Sequence, residues 1–321
     1  MSYALNRVRN RLFPIPPSSQ KCLEREAKPT DFTIIKYISS NIYLFQHNGT
    51  KGLYIVKALD KRKIEFNQEN EHLLKQEIEN IYKLYHKNIV KIYGHFEDNY
   101  YCYILIERLP KGNIRELLPI DNKKRFKTKL CSIIIRDVIS AVYYLHNMNP
   151  PIIHKSINLE NVRLLNVNEA KLTYYSWKKY IKDNKIIRVK MKHLPPEIMN
   201  GKSYDEAADL WNIGILLFQM VANKDSFDIS DYNTYKENIM KLKINWPKAI
   251  NNDAKDLIEK ILKIEPKERL SLEKMMVHPF IIKYNPDAEK YLIKPVEGLK
   301  FEPFVILKDD TDRKSTRLNS S

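Results

Sequence analysis

Apolar and polar positions alternate in short runs over the first third of the chain, and recur at the longer helical spacing beyond residue 112. The runs at 32–38, 41–46 and 52–58 are rich in Ile, Tyr, Phe and Val and predict strands, with Asn48-Gly49 marking a hairpin turn between the last two. Leu73, Ile78, Ile81 and Leu84 lie near helical spacing and predict a helix over 65–85. Strand-like runs follow at 89–96 and 100–107. Helices are predicted over 113–118, 124–147, 205–222, 232–241, 252–263 and 271–277. Strands first and helices afterwards imply an α+β protein of two lobes, 31–107 and 113–282, with a connector at 108–112. Pro14, Pro16, Pro17 and Ser18-Ser19 make 1–30 a disordered arm, and 283–311 is a C-terminal extension.

Composition changes this picture little. The 321 residues suit one two-lobed domain, and 43% hydrophobic content is enough for a sizeable core. Glycine numbers only 7, which matters wherever backbone must approach phosphate. The formal charge of +16 comes from dispersed Lys in a chain rich in Lys, Asn, Ile and Tyr. No aromatic-interleaved basic stripe is visible, so nucleic-acid binding is not inferred. Cys22, Cys102 and Cys131 are isolated, which suggests neither disulfides nor zinc and fits a reducing compartment. The longest apolar stretch, 213–222, is too short for a bilayer and reads as a buried helix. Arg7, Arg9 and Arg11, with no acid before Glu24, faintly resemble a transit peptide, but a basic arm is the preferred reading. The expected location is cytoplasmic or nuclear, without a membrane partner. Residues 312–321, Asp-Arg-Lys-Ser-Thr-Arg-Leu-Asn-Ser-Ser, match the in-frame translation of a sequencing-library adapter and are set aside as foreign.

Five segments in series resemble the protein kinases over about 31–282. Tyr54-Ile-Val-Lys57 resembles the family's Val-Ala-Ile-Lys strand, and His86-Lys-Asn-Ile-Val90 the segment after its regulatory helix. Ile153-His-Lys-Ser-Ile-Asn-Leu-Glu-Asn161 stands where the His-Arg-Asp catalytic loop belongs. Pro195-Pro-Glu197 resembles Ala-Pro-Glu, while Asp209-Leu-Trp-Asn-Ile-Gly214 and Arg269 match structural residues of the helical lobe. Within the kinases the resemblance is to the Aurora group, through Tyr93-Gly-His-Phe96, His193-Leu-Pro-Pro-Glu197 and Trp177. The resemblance implies a bilobal kinase fold, with a β-rich N-lobe carrying one regulatory helix and a larger helical C-lobe.

Phosphoryl transfer requires a glycine-rich lid, a phosphate-binding Lys paired with a helix Glu, metal-holding residues and an Asp that accepts the hydroxyl proton. By resemblance the Lys is Lys57 and its helix partner Glu77, a pair that either binds phosphates or simply locks the small lobe. The three lid positions fall on Ile35, Tyr37 and Ser40, whose side chains keep backbone N–H groups from phosphate and leave an ordinary hairpin. Ile55 replaces the family's Ala, pushing extra carbons towards a purine, and Glu107 and Leu109 would offer it backbone hydrogen bonds. Ser156 stands for the catalytic Asp, and a hydroxyl of normal acidity is no useful base at neutral pH. Asn158 replaces the loop Lys, removing a cation that would steady the transferring group. His154 reads as a packed residue rather than a base. Asp-Phe-Gly aligns with Tyr174-Tyr-Ser176, so a phenol replaces the carboxylate that grips magnesium, and the retained Asn161 cannot hold a metal alone. The activation segment, 177–194, contains neither Ser nor Thr, and Lys155 replaces the Arg that pairs with a phosphothreonine.

These losses imply a pseudokinase that binds protein, an active kinase or its substrate, as scaffold or allosteric partner, with no cofactor expected. Two alternatives stay open. One is an unorthodox Ser/Thr kinase using ATP and magnesium, with Asp183 or Glu160 as stand-in carboxylate. The other is a sensor that binds ATP without metal.

Overall fold

The computed structural model describes residues 26–27, 29–39, 41–63, 84–97, 100–119, 125–173, 193–203, 205–228, 231–296 and 304–306. Several sequence expectations lie outside these residues: most of the 65–85 helix with Glu77, Cys22, Ser40, Tyr174 to Trp177, Asp183 and the 312–321 tail. The chain divides into two compact units, one formed mainly by residues up to Arg108 and the other from Leu109 to Glu297 apart from a few residues near 180.

The first unit is built on a sheet. Strands β1 (Glu26–Ala27), β2 (Phe32–Ser39), β3 (Ile42–His47), β4 (Leu53–Asp60), β5 (Ile92–Glu97) and β6 (Tyr101–Ile106) are joined by β9 (Phe304–Ile306) from the far end of the chain. Their order is β1-β9-β5-β6-β4-β3-β2, and the five strands β5-β6-β4-β3-β2 pair antiparallel throughout. Period two does the sorting. On β4, Tyr54 and Val56 turn into a core with Phe32, Phe45, Tyr93, Phe96 and Leu105, while Ile55 and Lys57 turn to the half-buried face. Tyr54 and Tyr93 meet edge to face at 5.3 Å, and Phe96 stacks on Tyr103 at 4.7 Å, geometries that aromatic quadrupoles favour.

The expected hairpin at Asn48-Gly49 is present, and its left-handed residue is Lys51, with φ 59°. Five residues, 48–52, connect β3 to β4, and the loop is closed by His47 N–H to Gly52 C=O and Lys51 N–H to His47 C=O, both 2.9 Å. The Asn48 side chain works elsewhere, donating to Thr30 C=O at 3.1 Å and accepting from the Thr33 hydroxyl at 2.6 Å.

The second unit is mostly helical. Its elements are α1 (Ile114–Leu117), α2 (Thr128–His146), the hairpin β7 (Val162–Asn166) and β8 (Glu169–Leu172), α3 (Pro196–Met199), α4 (Glu206–Ala222), α5 (Tyr232–Met240), α6 (Asn252–Ile261), α7 (Leu272–Met276) and α8 (Pro279–Ile282). The six predicted helices are found within a few residues of their expected ends, and α3, α8 and the β7–β8 hairpin are additions. Helices α2 and α4 are buried nearly all round because they run through the middle, packing on each other. The 213–222 stretch is thus a buried helix, and no helix among the described residues is long and apolar enough to cross a membrane. Packing continues past residue 282: Asn285 donates to the Ser132 hydroxyl at 2.9 Å, and the Arg136 guanidinium lies over the Tyr291 ring at 4.1 Å. Cys102 and Cys131 are buried, and burial pushes the Cys131 thiol up to about 12.

Gly214 marks the close approach of α4 to α6. A Cβ there would lie 2.8 Å from both Ile261 Cγ2 and Leu262 Cδ2. Gly214→Ala gains helix propensity worth up to about 1 kcal/mol but overpacks the contact, at about 1–3 kcal/mol. A net loss of about 1–2 kcal/mol is expected in urea denaturation; a stabilised variant would show that α4 and α6 separate freely.

Candidate functional site

The predicted site residues fall in both units, and each set is described within its own. In the sheet unit, Lys57 and Ile55 stand two residues apart on β4 and share a face. Register places Ile42 and Ile104 beside Lys57, and Leu44 and Ile106 beside Ile55. Residue 55 therefore adds to an apolar row where the kinase pattern has only Ala.

Of the three lid positions, Ile35 and Tyr37 lie on β2, 50% and 59% exposed. The chain reverses between the paired residues Ser39 and Ile42, with Asn41 at φ 61° and its carbonyl held by Ala58 N–H at 2.8 Å. Strands β2 and β3 form a hairpin here. Glu107 donates its N–H to Lys91 C=O at 2.8 Å, and its carboxylate accepts from Lys91 N–H at 3.1 Å. Its amide is thus spent inside the sheet unit, and Leu109 is a buried residue that opens the second unit.

In the helical unit the loop 153–161 hangs from one carboxylate. Asp209, fully buried on α4, accepts from His154 N–H at 2.7 Å, Lys155 N–H at 2.8 Å and His146 Nε2 at 2.9 Å. This clamp holds Lys155 at φ 62°, a left-handed conformation that side-chain-bearing residues seldom adopt. The His154 ring is committed at both nitrogens: Nε2 donates to Thr173 C=O at 3.0 Å and Nδ1 accepts from Ser156 N–H at 3.3 Å. It is a packed structural residue, in agreement with the sequence.

Ser156 is itself held. Its Oγ accepts from Asn161 Nδ2 at 2.9 Å and from Asn158 Nδ2 at 3.3 Å. A hydroxyl oxygen has two lone pairs, and both are engaged by amide donors. The group is therefore poised to donate its own proton, the reverse of what a base must do. Asn158 also caps the turn, its Oδ1 accepting from Glu160 N–H at 2.9 Å and Asn161 N–H at 3.1 Å. Thr173 closes the arrangement, giving its N–H and hydroxyl to Asn161 C=O at 2.8 and 2.9 Å.

Sequence reasoning missed the Asn158–Ser156–Asn161 network, although the spacing of two Asn at +2 and +5 from a Ser was a usable signal. It also missed His146 as the third donor on Asp209, for which no local signal existed. Glu160, a suggested stand-in carboxylate, is an exposed residue of the turn.

Magnesium binds charged or carbonyl oxygens, with carboxylates supplying most of the protein's share. Among the described residues of the loop, Asn158 and Asn161 turn their amide nitrogens to Ser156, and neither brings a charged oxygen to it. No group of three or more His, Cys, Asp or Glu among the described residues is arranged to hold a metal.

A separate constellation fixes the rest of the unit. Glu197 and Arg269 form a buried two-pronged ion pair, with bonds of 2.7 and 2.6 Å. Arg269 also donates to Ala207 C=O at 2.7 Å and Lys263 C=O at 3.1 Å, and its guanidinium lies 5.2 Å over the Trp211 ring.

A family model described as protein kinase domain matches residues 38–281. The chain is 32% identical over 246 residues to an Aurora kinase of Schizosaccharomyces pombe, covering 76% of this chain and 68% of that protein. It is 30% identical over 261 residues to Aurora kinase A-B of Xenopus laevis, covering 80% and 62%, and 30% identical over 246 residues to Aurora kinase A-A of the same frog, covering 76% and 59%. The match thus spans about three fifths to two thirds of the length of these relatives.

Proposed function

The chain belongs to the protein kinase domain family, with a distant likeness to Aurora kinases, and on that premise we propose that it is a catalytically impaired member. Its role is to bind a protein partner, an active kinase or that kinase's substrate, as scaffold or allosteric regulator in phosphorylation signalling. The observation that most supports this reading is Ser156 Oγ accepting from both Asn158 and Asn161 where a proton-accepting carboxylate would have to stand. The residues that hold the helical unit together point the same way. Glu197, Asp209 and Arg269 keep their full sets of partners beside a loop without chemical means.

The alternative is an unorthodox kinase. What favours it is Lys57 on the half-buried face of β4, together with the name of kinase carried by the relatives. A thermal-shift titration of the full chain with ATP, with and without magnesium, separates the readings. A ligand at about a hundred times its Kd stabilises by about 2.7 kcal/mol, a readable change. No shift is expected in either condition. A magnesium-dependent shift, with labelled phosphate passed to protein and lost in Lys57→Ala, would establish the kinase instead. A shift indifferent to magnesium would make the protein a nucleotide sensor.

A further inference from the structure

Gln219 on α4 and Tyr235 on α5 are 3% and 1% exposed, and the Gln219 Oε1 and the Tyr235 hydroxyl have no hydrogen-bond partner among the described residues. Leaving such a group unpaired in the interior costs about 1–3 kcal/mol, and folded proteins seldom do so without a reason. Both groups adjoin the same place. Gln219 is oriented by its nitrogen, which donates to Asp225 Oδ1 at 3.2 Å. The Tyr235 ring meets the Phe227 ring edge to face at 6.3 Å. Burial first, and the Asp225 charge second, push the ionisation of the Tyr235 phenol well above its ordinary value, so at neutral pH it is a hydroxyl whose oxygen can accept.

Asp225 and Phe227 are also walls of a cavity of about 830 Å³, within the span of roughly 300–1,000 Å³ common to small-ligand sites. Main-chain bonds tie its sides together, from Asn245 N–H to Ser226 C=O at 2.7 Å and from Lys243 N–H to Asn238 C=O at 2.8 Å. Phe227, Ile244 and Trp246 give the cavity apolar surface, and the carboxylates of Asp225 and Asp228 outnumber the one lining cation, Lys243. Trp246 is suited to a cation: Lys255, which is not a lining residue, already places its Nζ 5.5 Å from the ring centre. An ammonium brings three donors, no acceptor and a positive charge, which answers one carboxylate and two neutral acceptors. A water brings two donors and no charge, and an anion would face Asp225 with more lone pairs.

We propose that this cavity binds an alkylammonium group, the head of a lysine side chain or of a free amine. Asp225 is its counter-ion, Gln219 Oε1 and the Tyr235 hydroxyl are the further acceptors, and Trp246 lies against the alkyl stem. The site is contained in the helical unit and is independent of whether the protein transfers phosphate.

Tryptophan fluorescence of the full chain, titrated at constant ionic strength with n-butylammonium, tests this. A saturable change is expected, and none with tetramethylammonium, which carries the same charge but no N–H. Asp225→Asn keeps the shape and an oxygen for Gln219, and is expected to weaken binding about tenfold or more, because bonds to a charged group are the stronger ones. Tyr235→Phe is expected to weaken it about threefold, while the melting temperature of the unliganded protein stays the same or rises, since the hydroxyl removed was unpaired. Tighter binding of Nα-acetyl-lysine methylamide than of butylammonium assigns the site to a protein's lysine side chain, and the reverse assigns it to a free amine. No saturable change with butylammonium overturns the proposal and leaves a cavity filled by water. Equal binding of tetramethylammonium overturns it too, leaving a cation on an aromatic wall, as does unchanged affinity in either variant.

Discussion

Arg269→Ala is expected to lower the stability of the helical unit by about 3–5 kcal/mol, the cost of leaving one member of a buried ion pair without its partner. Both side chains are almost wholly inaccessible, Arg269 at 0% and Glu197 at 3%, so water cannot take over the bonds to the stranded carboxylate. The substitution also orphans the carbonyls of Ala207 and Lys263 and removes the cation from the Trp211 face. At about 2–4 °C per kcal/mol for a unit of this size, the melting temperature falls by roughly 10 °C. Thermal unfolding followed by tryptophan fluorescence reads this. Replacing both partners by Met removes the stranded charge and is expected to recover a good part of the loss. A single variant that melts within a degree or two of the parent would mean that α3 and the 263–270 segment are held by apolar packing alone.

Asp209→Ala has the second large effect, and a more local one. It strands the N–H groups of His154 and Lys155 and the His146 Nε2 donor, all of which converge on one buried carboxylate. At about 1–3 kcal/mol for each unsatisfied buried donor, a loss of about 3 kcal/mol or more is expected. Asp209→Asn does not repair this, because one of its two terminal atoms becomes a donor facing a donor. Without the clamp the left-handed backbone of Lys155 loses the bonds to Asp209, and the loop relaxes. Hydrogen exchange then rises first in 154–161, ahead of α4 itself. Uniform exchange across the helical unit, with no excess in the loop, would show that the clamp holds the global fold and not the loop geometry.

The alternation of apolar and polar residues in β2 to β6 decided the sheet, because with period two a shift of one residue would expose Tyr54 and Val56 and bury Lys57. Helix α4 was legible for a different reason: an apolar run too short for a bilayer has only the interior of the fold to occupy. The β7–β8 hairpin was not seen, since strands of five and four residues are too short for periodicity to stand out. Residue identity carried the site as far as it could. Ser156 and Asn158, where the resemblance places a carboxylate and a cation, and the retained Asn161 beside them, were visible without coordinates.

What the sequence determined by itself was therefore which residue types stand at the positions named by the kinase resemblance, and the α+β order of elements, because both depend on residue type and local spacing. What only the tertiary structure decided was who bonds to whom across long separations. Asp209 reaches back 63 residues to His146, Arg269 back 72 to Glu197, and Val305 joins both ends of the chain at one sheet edge. Such pairings follow from buried polar groups seeking partners wherever the packed fold brings them, and local pattern does not encode that choice.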